Sequence, residues 1–210
     1  ICGYIGVSGG GFQYLSSDNS PFNGKAVNLY DLLTDEIKPI VPSGTYIPEF
    51  VLAQEESPIK VLVVQAASPI TQWPNTRKTL QSFEKIPFKV CIDLELTDTA
   101  KFCDIVLPST FIFEHDNLVH SELHRIVQFA PRITEPLGEA RSELEIWKDL
   151  AEIIGVGKYF RLSELDAIEL ALDNEECKDI TIEKLREHPE GLRTKAVGIP
   201  FCDFKFKTAS

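Results

Sequence analysis

The chain has 210 residues, enough for one large domain or two small ones, and 43% of them are apolar, an ordinary share for a globular core. Its net charge of −11 argues against nucleic acid and anionic membrane surfaces as partners, but not against a small anionic ligand held by backbone N–H groups at helix starts. No apolar run approaches the roughly 18 residues of a membrane span, no secretory leader is visible, and the chain opens at Ile1.

Residues 1–27 are rich in Gly, Ser and Asn and read as loop. The run Gly9-Gly10-Gly11 has no strand before it and no helix signal after it, so it fails the context test for a phosphate loop. A short helix is expected over 28–36, broken by the prolines from Pro39 to Pro48. Residues 59–65, Ile-Lys-Val-Leu-Val-Val-Gln, form the first strand. A helix then opens after Asn75 as cap, carries Leu80 and Phe83 on one face, and ends before Pro87. The second strand is 88–93, and the 29 residues from Ile59 to Phe88 match a βαβ unit. A short helix over 97–103 leads to a third strand at 104–107. Such uniformly apolar strands are expected to be buried on both faces of a parallel sheet.

Residues 109–124 lack a clean period and read as a structured loop, followed by a strand over 125–129. Ser142 and Glu145 make a capping box for a helix that turns Ile146, Trp147, Leu150, Ile153 and Ile154 inward and stops at Gly155. Two more helices are expected at 163–172 and 181–187, then an extended, frayed tail from Gly191 to Ser210. The predicted fold is α/β: a Rossmann-like three-layer domain with a mostly parallel sheet, followed by a helical segment. Its parts are a loop-rich entry (1–54), an α/β dinucleotide-binding domain (55–135), and a helical segment with extended tail (136–210).

Cys2, Cys91, Cys103, Cys177 and Cys202 include no CxxC pair, so neither a zinc nor an iron–sulfur site is suggested. Cys91 and Cys103 read as core thiols, and the odd count favours a reducing, cytoplasmic setting. His115, His120 and His124 cluster in sequence without a convincing helical HxxxH, so hydrogen-bonded loop histidines outweigh a metal site.

Two features carry chemistry. The turn Gln65-Ala66-Ala67-Ser68-Pro69 has small side chains that would let backbone N–H groups approach a ligand; a tight strand exit explains it equally well. Asp93 ends a strand where open α/β sheets bind ligands. Its carboxylate suits a ribose diol, or N1–H and the exocyclic amine of guanine together. It also suits a cap for the segment starting near Thr97, or a solvated strand end.

The chain resembles the molybdopterin oxidoreductases of the dimethyl sulfoxide reductase and formate dehydrogenase type. The matching pieces are 64–69, 92–100 (Ile-Asp-Leu-Glu-Leu-Thr-Asp-Thr-Ala) and 103–110 (Cys-Asp-Ile-Val-Leu-Pro-Ser-Thr). Glu114-His115-Asp116-Asn117, residues 125–128 and residues 135–141 follow in order; 3–11 and 204–210 resemble the entry and exit of the same region. The resemblance implies an α/β layer gripping one of two molybdopterin guanine dinucleotides, with molybdenum or tungsten in the intact enzyme. It implies guanosine contacts for Asp93 and Thr97, and places Gln65, Ala66, Ala67 and Ser68 against the same dinucleotide. Relatives usually carry glycine at the positions of Ala66 and Ala67, an aromatic at Glu95, and often tryptophan at Leu144. The family's cluster-binding cysteines, metal-ligating residue and C-terminal barrel have no counterpart here, so the chain resembles an internal piece, inactive alone. An iron–sulfur cluster would belong to the N-terminal part. The implied partners are the rest of the same enzyme chain and electron-transfer subunits, with no membrane insertion; a homodimer of the piece is a further expectation. Two other readings stand: a non-catalytic nucleotide-binding module of flavodoxin-like or thiamine-enzyme-middle-domain type, and a partner subunit that kept the fold and lost the ligand.

Overall fold

The computed structural model describes residues 21–23, 44–121 and 124–195. The helix expected at 28–36, the glycine-rich head, Cys2, Cys202 and the stretch 196–210 lie outside them. Helix α1 (Ile47–Leu52) leads to strand β1 (Val61–Gln65), the short helix α2 (Pro69–Gln72) and helix α3 (Thr76–Lys85). Strand β2 (Phe88–Asp93), the one-turn helix α4 (Asp98–Lys101) and strand β3 (Ile105–Pro108) follow. Strands β4 (Asn117–Ser121) and β5 (His124–Ala130) precede helices α5 (Glu143–Ile153), α6 (Glu164–Leu172) and α7 (Ile182–Glu187), then the two-residue strand β6 (Leu192–Arg193). Two compact units result: one contains residues 44–115 and 131–161, the other residues 21–23, 116–130 and 162–195.

The first unit is built on a parallel sheet in the order β1-β2-β3. Val63 faces Val90, and Val90 faces Ile105. Parallel neighbours need crossover connections; α2 with α3 supplies one and α4 the other. Asn75 caps α3 as its position predicts, its Oδ1 accepting from Lys78 N–H at 3.2 Å. One sheet face packs Val64 and Cys91 against Ile70, Phe83 and Ala100 from the helices. Burial pushes the Cys91 thiol up to about 11, and the Cys103 thiol beside it is also raised, chiefly by burial. Both are protonated at neutral pH and behave as packing groups.

The opposite face is less covered than the strand pattern predicts. Val61 is 57% exposed, and Val63, Phe88 and Ile105 are also exposed. Together with Val90, Ile92 and Leu107 they form one wall of an apolar groove of about 460 Å³. Helix α5, which the sequence reading places in a separate helical segment, forms the other wall and belongs to the same unit as the sheet. The capping box of α5 is present: Ser142 Oγ accepts from Glu145 N–H at 3.4 Å, and the Glu145 carboxylate accepts from Ser142 N–H at 3.3 Å. Gly155 takes φ +81° just beyond its end. The face of α5 expected inward is turned to the groove through Ile146, Trp147, Leu150 and Ile153, but it is not closed over. Ile153 is 81% exposed, Ile154 and Leu150 are exposed, and Ala151 is its one buried residue. Periodicity marks an apolar stripe; it does not supply the layer that covers it.

The second unit holds an antiparallel sheet, β4-β5-β6. Val127, Phe129, Ile168, Leu172, Cys177 and Leu185 form its core. Ser163 and Thr181 cap α6 and α7 through bonds from Asp166 N–H and Lys184 N–H. Two expectations are corrected here. Residues 117–121 are strand, not loop: Leu118 pairs with Phe129 and His120 with Val127. Every residue of β4 is half-buried, so no alternation marks it in sequence. The tail is extended from Gly191 as expected but not frayed at its start, where Leu192 pairs with Val127. Among the described residues no helix is long and apolar enough to cross a membrane.

Candidate functional site

The carboxyl ends of β1, β2 and β3 meet in one place. Gln65 faces Ile92, and Asp93 faces Pro108. Ala66 N–H donates to the Ile92 carbonyl at 3.0 Å, and Ser109 N–H to the Asp93 carbonyl at 3.1 Å. The structure therefore brings the turn 65–69 and the loop 93–97 to the same sheet edge.

Each expected site residue also does local work. Asp93 Oδ1 accepts from Leu94 N–H at 2.8 Å and Glu95 N–H at 3.4 Å, holding its own loop. Oδ2 makes neither bond. Thr97 caps α4, its hydroxyl accepting from Ala100 N–H at 3.1 Å. Gln65 lies on the groove side, where its Oε1 accepts from the Trp147 indole N–H at 2.7 Å. Ser68 N–H donates to Gln72 Oε1 at 3.2 Å. Two turn amides, those of Ala66 and Ser68, are thus already engaged, so fewer backbone donors face a ligand than the small side chains suggest.

Ala66 has φ +48°, the left-handed region that alanine enters at a cost of about 1–2 kcal/mol. Ala66→Gly should relieve that strain against a smaller loss through the unfolded chain. The expected result is a net gain of up to about 1 kcal/mol in urea unfolding, and a loss would show that this turn is unstrained.

The loop after β2 carries Asp93, Glu95 and Asp98, with Lys101 ion-paired to Asp98 at 3.4 Å. Carboxylates at a strand end accept from N–H and O–H groups and repel phosphate. This part of the edge suits a base or sugar. Leu94 and Leu96 are exposed beside it.

The histidines have separate partners. His115 Nδ1 lies 2.8 Å from Thr110 Oγ1, His124 Nδ1 accepts from Ile126 N–H at 3.2 Å, and the His120 ring packs edge-on against Phe22. Among the described residues no three His, Cys, Asp or Glu side chains are grouped to hold a metal.

The sequence profile of the molybdopterin oxidoreductases matches residues 1–153, including both loops of the sheet edge. The chain belongs to the molybdopterin oxidoreductase family. It is 35% identical over 211 residues to the probable oxidoreductase YyaE of Bacillus subtilis, covering 99% of this chain and 31% of that protein. It is 28% identical over 145 residues to the thiosulfate reductase molybdopterin-containing subunit PhsA of Salmonella typhimurium, covering 67% and 19%. In fold it is similar to acetylene hydratase from Pelobacter acetylenicus, with a TM-score of 0.63 at 20% identity over 74% of this chain and 21% of that one. The chain thus spans a third or less of the length of each of these proteins.

Sequence reasoning misses Thr99 and Trp147. Thr99 is 0% exposed, and its hydroxyl meets both Ser68 and Ile70 of the neighbouring turn. The one signal in the sequence is a Thr-x-Thr pair at a helix start, where only the first threonine is needed as cap. Periodicity assigns Trp147 to packing; its N–H reaching Gln65 depends on α5 crossing the sheet.

Proposed function

We propose that this chain is the part of a molybdenum- or tungsten-dependent oxidoreductase that grips the guanosine end of one molybdopterin guanine dinucleotide. The observation that carries the reading is the meeting of an acidic strand-end loop, Asp93 to Thr97, with the turn Gln65 to Ser68 at one sheet edge of a family member. The donor set fits that group. Asp93 offers a carboxylate to N1–H and the exocyclic amine of guanine, while Thr97 and Ser68 offer hydroxyls to the sugar and its phosphate. Ala66 and Ala67 keep the turn low enough for the dinucleotide to lie across it.

When bound, such a cofactor would supply the redox chemistry, transfer of an oxygen atom or of a hydride equivalent. The residues of this sheet edge hold and orient the dinucleotide tail. The metal ligand, any iron–sulfur cluster and the substrate pocket belong to other parts of the enzyme. Relatives named as a molybdopterin-containing subunit and as a formate dehydrogenase subunit alpha support a place beside other subunits.

The test is the cofactor content of the native protein. Acid release should yield pterin fluorescence, guanine nucleotide, and molybdenum or tungsten in matching amounts. Pterin and metal without guanine would remove the dinucleotide from the proposal. Absence of all three would favour a partner subunit that kept the fold and lost the ligand.

A further inference from the structure

We infer that Thr99 is the positioning residue of this sheet edge: its buried hydroxyl clamps the turn after β1 to the start of α4, so that Ser68 and the Asp93–Thr97 loop act as one ligand-binding surface. The functional half of this inference rests on the guanosine reading above.

The geometry is unusual for a helix start. Ser68 sits at the cap position of α2 but makes no side-chain bond to that helix's amides. Thr99, distant in sequence, takes its place: Ile70 N–H donates to Thr99 Oγ1 at 3.2 Å. The first amides of a helix lack partners within it, so this bond satisfies a donor that would otherwise be buried and unpaired. Ser68 Oγ lies 3.1 Å from the same Thr99 oxygen. The Thr71 hydroxyl lies 2.9 Å from Ser68 Oγ and 3.1 Å from the Ser68 carbonyl oxygen, its single proton shared between them. The Ser68 hydroxyl is therefore released from capping and fixed from two sides. Two residues before Thr99, Thr97 caps α4 itself. One short Thr-Asp-Thr stretch orders both loops. Thr99 is wholly buried, so it acts through Ser68 and the turn and touches no ligand.

The experiment combines amide hydrogen exchange without ligand and GDP affinity in Thr99→Val, Thr99→Ser and Ser68→Ala. Thr99→Val should speed exchange over residues 66–71 by about tenfold or more while β2 and α3 keep their protection. Thr99→Ser, which keeps the hydroxyl, should stay near the parent. GDP affinity should fall about tenfold in Thr99→Val, and adding Ser68→Ala should cost little more, because the two act through one contact. A purely packing role for Thr99 would give additive losses instead. Unchanged exchange over 66–71, or full additivity in affinity, overturns the clamp. Should Thr99→Val not fold, Ser68→Ala alone must raise exchange over 66–71 at least about twofold, and no change there overturns it equally. If the parent binds no GDP while exchange still responds to Thr99→Val, the clamp stands and the guanosine reading falls.

Discussion

Phe83→Ala should lower the unfolding free energy of the parallel-sheet unit by about 3–5 kcal/mol. Phe83 is 0% exposed and lies among Val64, Ile70, Cys91 and Ala100. Its ring meets Trp73 and Phe102 edge-on, each at 6.4 Å between centroids. Truncation removes the largest side chain of that cluster and both aromatic contacts, and the sheet above cannot collapse into the space. Such a loss is a large part of the roughly 5–15 kcal/mol that holds a domain folded. The two tryptophans, Trp73 and Trp147, both belong to this unit, so their fluorescence in urea follows its unfolding alone. Far-ultraviolet dichroism follows both units, and the two transitions should separate in the variant. A fluorescence midpoint equal to the parent's would mean that Phe83 is not the keystone of this core. Ile70 and Ala100, in the same cluster as Phe83, follow the two candidate loops directly in sequence, so nucleotide affinity should fall with stability.

Asp93→Ala should weaken guanine nucleotide binding by roughly 10- to 150-fold, the loss of a charge-assisted two-point acceptor of about 1.5–3 kcal/mol. Asp93 also holds Leu94 and Glu95 through Oδ1, so alanine frees the loop as well as removing the charge. Asp93→Asn separates the two effects: it keeps an acceptor for the loop amides and should still lose most of the affinity. The base supplies a second control. Inosine nucleotides lack the exocyclic amine, so the parent should prefer GDP over IDP, and that preference should vanish in Asp93→Ala. Equal binding of GDP and IDP by the parent would assign the carboxylate to the ribose diol or to its loop alone.

Much of the site is legible in the sequence, for local reasons. Strand β2 runs from Phe88 to Asp93 as expected, because six consecutive residues with Pro87 in front leave few alternatives. The caps read from the sequence, Asn75 and Ser142, are present because a cap and the amide it serves lie within three residues of each other; the short helix after β2 is capped by Thr97 and not by Asp93, whose carboxylate holds Leu94 and Glu95 instead. The meeting of 65–68 with 93–97 follows from two parallel strands ending level. The strain at Ala66 is only indirectly legible, through the resemblance that expects glycine there.

The order and kind of most elements, the parallel half of the fold and the family are all written in the amino-acid order. Each depends on short-range hydrogen bonding or on apolar runs whose length and spacing few other arrangements accept. Features that need a distant partner are settled by the folded chain instead. Strand β4 exists because β5 pairs with it, and β6 because Val127 offers Leu192 an edge. Helix α5 leaves Ile153 exposed because the groove beneath it stays open. Thr99 reaches Ser68 and Ile70 only once a crossover has folded back onto the sheet. Side-chain periodicity states which face of an element is apolar; the identity of the group that meets that face is set by chain topology, which no local window contains.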